Sequence, residues 1–121
     1  MPVVGIIRDL AEFIRDDFRY FRANRRAKKL FLANLSELQR DDMYQTGWFS
    51  VFGSHTKMRY MISVRGNLIY NIWRPEDELC FCFAPDGVPF WDAILAQKLM
   101  LECNELEVLK VANKGRIRSP I

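Results

Sequence analysis

The spacing of the apolar residues changes twice along this chain, and these changes limit the folds it can adopt. In the first 46 residues the apolar side chains recur every three or four positions, which is the period of an amphipathic α-helix. From Trp48 to Phe83 they alternate with other residues, which is the period of a β-strand. After Asp92 the helical period returns. This order predicts an α+β domain.

The N-terminal segment is predicted to form two helices. A long amphipathic helix runs from about Val3 to about Leu32, because apolar residues repeat along one face at Val3, Ile7, Leu10, Ile14, Phe18 and Phe21. This face exposes more apolar surface than one small sheet can cover, which predicts self-association through the helix. Ser36 and Gln39 have the spacing of a capping box, so a second helix begins there. It ends near Gly47, and its inner side is expected to hold Leu35, Leu38 and Met43.

The central segment is predicted to form a four-stranded antiparallel meander. Short breaks rich in turn-forming residues separate the strands, so consecutive strands pair as hairpins. The strands are expected at residues 48–52, 58–64, 68–73 and 78–83. Both faces of the third strand are apolar, which predicts a sheet covered on both sides. A second copy of the chain is one source of that cover.

The C-terminal segment is predicted to form a helix that packs on one face of the sheet. Asp92 can cap this helix, which runs to about Asn113 either unbroken or with a kink, because Asn104 and Glu107 have the spacing of a second capping box. Residues 114–121 lack an apolar repeat and are expected to form a flexible tail. The 121 residues are therefore interpreted as one domain, with a helical segment over residues 1–46 and a sheet with its helix over 48–113. The first helix either covers the second face of the sheet or projects.

Charge and cysteine content restrict the classes of function. The net charge of +3 is small, so any interaction with a polyanion depends on where the cations lie. The chain has three cysteines, an odd number, and its N-terminal apolar run is too short for a signal peptide, which together indicate a reduced, cytoplasmic protein. No apolar stretch approaches the roughly 18 residues of a transmembrane helix. Integral membrane contact is therefore not expected, and no cofactor is predicted.

The first helix carries a stripe of cations. Six basic residues recur at helical spacing within a sector of about 80°, namely Arg8, Arg15, Arg19, Arg22, Arg26 and Lys29. Acidic neighbours near the start weaken the field there, so the effective part runs from Arg19 to Lys29. Such cations can follow a phosphate backbone while Tyr20 stacks on exposed bases. The stripe predicts a surface that binds RNA, DNA or an acidic protein, made of Arg15, Arg19, Tyr20, Arg22, Arg26 and Lys29. The alternative is a plain solvated helix face.

Residues 24–47 contain a basic run followed by a leucine-serine segment and an acidic-apolar pair. These are Arg25-Arg26-Ala27-Lys28-Lys29, Leu32-Ala33-Asn34-Leu35-Ser36-Glu37-Leu38 and Asp42-Met43. The pattern resembles the short YjiS-like domain of bacterial proteins, in which an arginine-rich helix leads into a leucine-serine turn and an acidic-apolar ending. The resemblance implies a bacterial origin and contact with RNA, and a bacterium or a phage is the expected source.

Cys80 and Cys82 lie on one face of the fourth predicted strand and can supply two thiolates to zinc. With the hairpins before them and the helix containing Ile94-Leu95-Ala96, they give residues 48–100 a resemblance to the SWIM-type zinc finger. In that family a cysteine–histidine pair opens the helix. Here the position reads Phe90-Trp91-Asp92-Ala93, so no bound metal is predicted.

The remaining candidates for chemistry are the thiols and His55, the single histidine and the one side chain whose ordinary titration falls near neutral pH. A nucleophilic pair of His55 with Cys80 or Cys82 needs the fold to bring them together. Otherwise these two cysteines and Cys103 are expected to be small core residues. The predicted function is therefore a small non-enzymatic binding protein, and the alternative is a zinc-dependent or thiol enzyme centred on Cys80, Cys82 and His55.

Overall fold

The computed structural model of the protein describes residues 3–116, with the side chains of residues 10–12, 15 and 19–116. Three helices pack on a five-stranded antiparallel sheet whose strand order follows the chain, so the predicted α+β class is confirmed. The elements are α1 Val3–Ala33, α2 Glu37–Thr46, β1 Trp48–Phe52, β2 Arg59–Ser63, β3 Ile72–Arg74, β4 Leu79–Cys82, α3 Phe90–Val111 and β5 Asn113–Arg116.

Helix α2 begins and ends at the predicted signals. The Ser36 hydroxyl accepts a hydrogen bond from the Gln39 backbone N–H at 3.1 Å, and the Gln39 side chain accepts one from the Ser36 N–H at 3.0 Å. Gly47 ends the helix with φ of 80°, a left-handed conformation that glycine adopts without strain. Leu38 is exposed while Met43 is buried, so the prediction that both line the inner side is wrong. They lie about 140° apart around the helix and cannot share one narrow face.

One face of the sheet forms the core with the helices. The register aligns one fully buried residue from each of four strands on this face, namely Phe49, Ile62, Ile72 and Phe81. Phe31 of α1 joins this layer to α3, because its ring centroid lies 5.5 Å from that of Phe49 and 5.2 Å from that of Trp91. Burial of one such side chain contributes about 1.5–3 kcal/mol, so this layer holds α1 and α3 on the sheet.

The third strand is shorter than predicted. It comprises Ile72–Arg74 instead of residues 68–73, because the chain turns before it. The Asn67 side chain accepts a hydrogen bond from the Ile69 N–H at 2.9 Å, and Tyr70 has a left-handed φ of 48°, which extended backbone cannot include. The apolar residues before Ile72 therefore do not lie on the two faces of a strand. The prediction of a sheet covered on both sides depended on such a strand and is no longer supported.

The C-terminal region differs from the prediction at both ends. Helix α3 begins at Phe90, so Asp92 lies in its first turn and does not cap it, while non-helical dihedral angles at Asn104 confirm the kinked alternative. Residues 113–116 form β5 against β4, so the sheet of the described chain has five strands instead of the predicted four. The predicted flexible tail is therefore wrong for residues 114–116. Strand pairing satisfies the backbone groups at the edge of β4 and needs no apolar repeat. The rest of that prediction, residues 117–121, lies outside the described residues.

Helix α1 packs only through its C-terminal part. Ala27 and Phe31 are buried, whereas the described side chains before Asn24 are all exposed. Judged by its described side chains, α1 therefore projects before Asn24 and does not cover the second face of the sheet. None of the helices among the described residues combines the length and apolar character that a membrane span requires.

Candidate functional site

Six of the exposed cations of α1 form what we call the basic surface, namely Arg15, Arg19, Arg22, Arg25, Arg26 and Lys29. Lys28 is also exposed, but it lies about 140° around the helix from the centre of the stripe. At about 100° per residue, the centre of the basic surface points away from Ala27 and Phe31, which face the domain. Packing of α1 on α3 therefore leaves these side chains in solvent. The Arg8 side chain, also predicted in the stripe, lies outside the described residues.

Four cations of the basic surface line one shallow depression of about 340 Å³, namely Arg22, Arg25, Arg26 and Lys29. No acidic residue occurs from Phe18 to Ser36. Among the described residues, Arg26 and Lys29 form no salt bridge. Like charges one helical turn apart repel each other, so this depression favours an anion.

Arg25 is a member of the basic surface that sequence reasoning missed. It lies about 80° from the centre of the predicted stripe, outside the narrow sector used to define it, yet it lines the same depression as Arg22. The signal that could have found Arg25 is the run from Phe18 to Ser36, which contains no acid to neutralise it.

Tyr20 is exposed, but it lies about 140° around α1 from the centre of the stripe. It points along the side that, further down the helix, packs on the domain through Ala27 and Phe31. Leu10 and Phe21 are also exposed, at 57% and 58%. The projecting part of α1 thus carries cations on one side and exposed apolar side chains on another.

A second concentration of charge is buried between α3 and the sheet. Glu105 follows the kink of α3 and is fully buried. Its Oε1 atom accepts hydrogen bonds from the backbone N–H groups of His55 at 3.0 Å and Thr56 at 2.7 Å, and its Oε2 atom accepts from the hydroxyls of Thr56 and Tyr60, both at 2.5 Å. Four donors therefore hold one carboxylate, which fastens α3 to the loop between β1 and β2.

Arg74 continues this network on the other side of Tyr60. Its Nη1 atom donates to the Tyr60 hydroxyl at 3.0 Å, and its Nε and Nη2 atoms donate to the two oxygens of Asp77 at 2.8 and 2.6 Å. The guanidinium carbon lies 5.5 Å from the ring centroid of Tyr60 and 5.0 Å from that of Phe81. We call these residues the Glu105 cluster: Thr56, Tyr60, Arg74, Asp77 and Glu105.

The hydrogen bonds of the Glu105 cluster shift the pKa values of its members. Burial by itself would raise the pKa of Glu105, but the hydrogen bonds from Thr56 and Tyr60 outweigh it and lower that pKa below its usual value. Burial, assisted by the hydrogen bond to Glu105, raises the pKa of Tyr60 to about 12. The hydrogen bond from Arg74 lowers the pKa of Asp77. At neutral pH the carboxylates are charged and Tyr60 keeps its proton, so the network is fully formed.

Cys80 and Cys82 lie in a different part of the fold from His55. Cys80 is buried on β4 and Cys82 is half-buried, whereas Cys103 is exposed on α3, so Cys80 is a core residue and the same prediction is wrong for Cys103. His55 is exposed in the loop between β1 and β2, and β4 is two strands away from β2. Within the described part of the chain, no three His, Cys, Asp or Glu side chains cluster as metal ligands would.

Comparisons with models of known protein families, with curated proteins and with solved structures find no match to this chain. The resemblances to the YjiS-like domain and to the SWIM-type zinc finger therefore stay predictions.

Proposed function

We propose that the protein is a non-enzymatic binding protein whose basic surface binds the phosphate backbone of a nucleic acid. The observation that carries this proposal is the depression lined by four cations of α1. Its cations lie in solvent on a helix whose described side chains contact the domain only in its C-terminal part. Lysine and arginine side chains neutralise phosphates and release counterions, which is the main source of sequence-independent affinity for nucleic acids.

The dimensions of the basic surface suit several phosphates at once. Arg15 and Lys29 are separated by about 21 Å along the helix axis, and a nucleic-acid strand carries one phosphate per 3.4 Å of duplex axis. Binding of this kind is electrostatic and weakly selective for sequence. Five phosphate contacts on duplex DNA give a log–log salt slope of about −4 to −5.

The test is fluorescence anisotropy with labelled single-stranded RNA, single-stranded DNA and duplex DNA of equal length over a salt series. The combined variant Arg19→Glu, Arg22→Glu and Arg26→Glu is expected to lose at least about 100-fold in affinity, because reversed charges repel phosphates. The matched control is Arg59→Glu, Lys110→Glu and Arg116→Glu, which changes the net charge equally at exposed positions outside α1.

The outcomes show whether the affinity for nucleic acid comes from the basic surface or from the net charge of the protein. Retained binding in the control, with loss in the α1 variant, supports the proposal. Equal loss in both variants contradicts it, because net charge alone would then explain the affinity. A wild-type protein without salt-dependent binding also contradicts it and leaves an acidic protein surface as the ligand of the basic surface.

A second candidate function is self-association through α1, favoured by the exposed apolar side chains of Leu10 and Phe21. Exposed apolar surface of this kind marks contact with other proteins or with a second copy. Light scattering coupled to size exclusion tests it on the wild type and on the variant Leu10→Gln with Phe21→Gln. A concentration-dependent dimer that the variant abolishes supports self-association, and a strict monomer at high concentration contradicts it.

As part of this proposal we place the protein in the bacterial cytoplasm. Its gene belongs either to the bacterium or to a phage that infects it. Cys82 and Cys103 form no disulfide bond in the structure, and free thiols suit a reducing compartment. Alkylation of the protein purified from a reducing cytoplasm should therefore label the exposed thiol of Cys103 without prior reduction.

A further inference from the structure

A second basic groove lies where α1, α2, the loop after β2 and the start of α3 meet. It has a volume of about 240 Å³, and its lining includes the cations Lys28 and Arg65 and the aromatic residues Tyr44 and Trp91. We call it the interhelix groove. It is smaller than the pockets of about 300–1,000 Å³ that enclose drug-sized ligands, so it suits one flat group lying on an open surface.

The backbone around the interhelix groove holds Arg65 in place. The Val64 N–H donates to the Gly47 carbonyl at 3.0 Å, and the Arg65 N–H donates to the Ser63 hydroxyl at 3.2 Å. The Arg65 side chain passes so close to Gly47 that a Cβ atom there would overlap its Nε atom. Gly47 thus both ends α2 and gives Arg65 room to cross it. Within the described chain, the Arg65 guanidinium has no carboxylate partner.

Lys28 is positioned on the other wall of the groove by Trp91. Its Nζ atom lies 5.3 Å from the Trp91 ring centroid, a cation–π contact. The Trp91 ring is itself fixed, with centroids 5.2 Å from Phe31 and 5.1 Å from Phe90. Lys28 also forms no salt bridge with any described residue. Two positioned cations without carboxylates therefore border one groove, which makes it a site for an anion.

Tyr44 adds a flat apolar surface beside these cations. It lies near the end of α2 with 64% of its surface exposed. An aromatic ring next to unpaired cations matches a nucleotide, because a base stacks on the ring while its phosphate meets the charges. An acidic peptide would satisfy Lys28 and Arg65 but would leave the exposed ring of Tyr44 without a planar partner.

The groove continues in two directions, which favours a strand over a free nucleotide. Arg65 also lines a neighbouring depression of about 420 Å³ with Asn67 and Tyr70. On the other side, Arg25 lies between Lys28 and Arg22 around the circumference of α1, and it lines the depression of the basic surface. Cations therefore continue from the interhelix groove around α1 towards the basic surface.

We propose that the interhelix groove binds one nucleotide of a single-stranded nucleic acid, with the base stacked on Tyr44 and a flanking phosphate between Lys28 and Arg65. This inference rests on the proposed function, because the rest of the strand lies on the basic surface. A duplex does not fit this arrangement, since its bases are paired and stacked inside the helix.

The test compares two labelled single strands of equal length, one with ordinary bases and one with abasic sugars, on the full-length protein. Tyr44→Ala should weaken binding of the ordinary strand about 5- to 100-fold, the range expected for one stacked base. It should leave the abasic strand unchanged. Tyr44→Phe should bind like the wild type, because stacking needs only the ring. The control Phe52→Ala removes an exposed aromatic ring at the end of β1 that does not line the groove and should change neither affinity.

Arg65→Ala provides the second measurement. It should reduce the salt slope by about 0.7 for both strands, the value for one phosphate contact on a single strand. Equal effects of Tyr44→Ala on both strands, or no effect on either, would overturn the inference. So would displacement of the strand by a nucleoside monophosphate at the strand's own concentration.

The two proposals can fail separately. Salt-dependent binding of the abasic strand by the wild type supports the role of the basic surface, regardless of the effect of Tyr44→Ala. Absence of binding to both strands overturns the basic surface and the interhelix groove together. A wild-type protein that binds the ordinary and the abasic strand equally, with salt dependence, overturns the interhelix groove alone.

Discussion

The Glu105 cluster and the basic surface both concentrate charged side chains, but they differ in where the opposite charge comes from. In the cluster, Arg74 pairs with Asp77, and Glu105 receives four hydrogen bonds from the protein itself. On the basic surface, cations follow one another on an exposed helix, and the adjoining sequence contains no acid from residue 18 to residue 36. Charges that find their partners inside the fold stabilise it, whereas repeated like charges in solvent do not.

This difference predicts that substitutions in the two regions change two different quantities, the free energy of unfolding and the affinity for nucleic acid. Substitutions in the Glu105 cluster should change the free energy of unfolding and leave the affinity of the folded protein for nucleic acid intact. Substitutions in the basic surface should change the affinity and leave the free energy of unfolding intact. The predictions below test the separation, beginning with the largest expected effect.

Removal of the central carboxylate should have the largest effect. Glu105→Ala is expected to lower the free energy of unfolding by about 3–5 kcal/mol, because it leaves buried donors without an acceptor. Urea denaturation measures the change, and Glu107→Ala, at an exposed position of the same helix, is the control with an expected change below about 0.5 kcal/mol. Similar values for the two variants would show that the cluster does not stabilise the fold.

The close approach of Gly53 to Glu105 gives the next largest effect. A Cβ atom at Gly53 would overlap the buried carboxylate, so Gly53→Ala is expected to cost about 1–3 kcal/mol through overpacking. The control is Gly115→Ala, where the new Cβ would lie 3.3 Å from the Tyr70 ring and a small ring movement can accommodate it. Thermal unfolding of both variants compares them. A smaller loss at Gly53 than at Gly115 contradicts the tight packing of the cluster.

Alkaline pH should weaken the cluster through Tyr60, whose pKa is raised to about 12 in the fold from an ordinary value of 10.0. Between pH 10 and pH 12 the folded protein keeps this proton and the unfolded chain has lost it. The folded state therefore binds more protons, and stability falls as pH rises, by about 1 kcal/mol per pH unit. Tyr60→Phe should remove this decline in urea denaturation series, whereas Tyr20→Phe should retain it. An unchanged decline in Tyr60→Phe would assign it to another group.

The two regions also differ in how far the sequence predicts them. The period of the apolar residues predicts α1 and the class of the fold, and helical spacing predicts the basic stripe, because both depend on residues close together in the chain. The Glu105 cluster joins residues as far apart as Tyr60 and Glu105, and local spacing carries no signal for such contacts. Arg74 and Asp77 look like an ordinary charged turn until the fold places Tyr60 beside them.

The interhelix groove shows the same limit at a surface site. Lys28 belongs to a visible basic run, but Tyr44 and Arg65 belong to a helix end and a loop whose proximity depends on the tertiary fold. The turn at Gly47 is predicted from the sequence, whereas the passage of Arg65 across it is not. The prediction that Tyr20 belongs to the binding surface depends on its closeness to the basic residues in the chain. Helical geometry places its side chain about 140° around α1 from the centre of the stripe.

Loss of a single cation from the basic surface should have the smallest effect and gives the sharpest test of the separation. Lys29→Gln should reduce the salt slope for a single-stranded oligonucleotide by about 0.7, because one phosphate contact is lost. Its free energy of unfolding should stay within about 0.5 kcal/mol of the wild type, since an exposed side chain without a salt bridge contributes little to stability. Lys110→Gln, an exposed lysine on α3 next to Glu107, is the matched control and should change neither quantity. If Lys29→Gln destabilises the protein while the slope is unchanged, Lys29 serves the fold and not the ligand, and the contrast between the two regions does not hold.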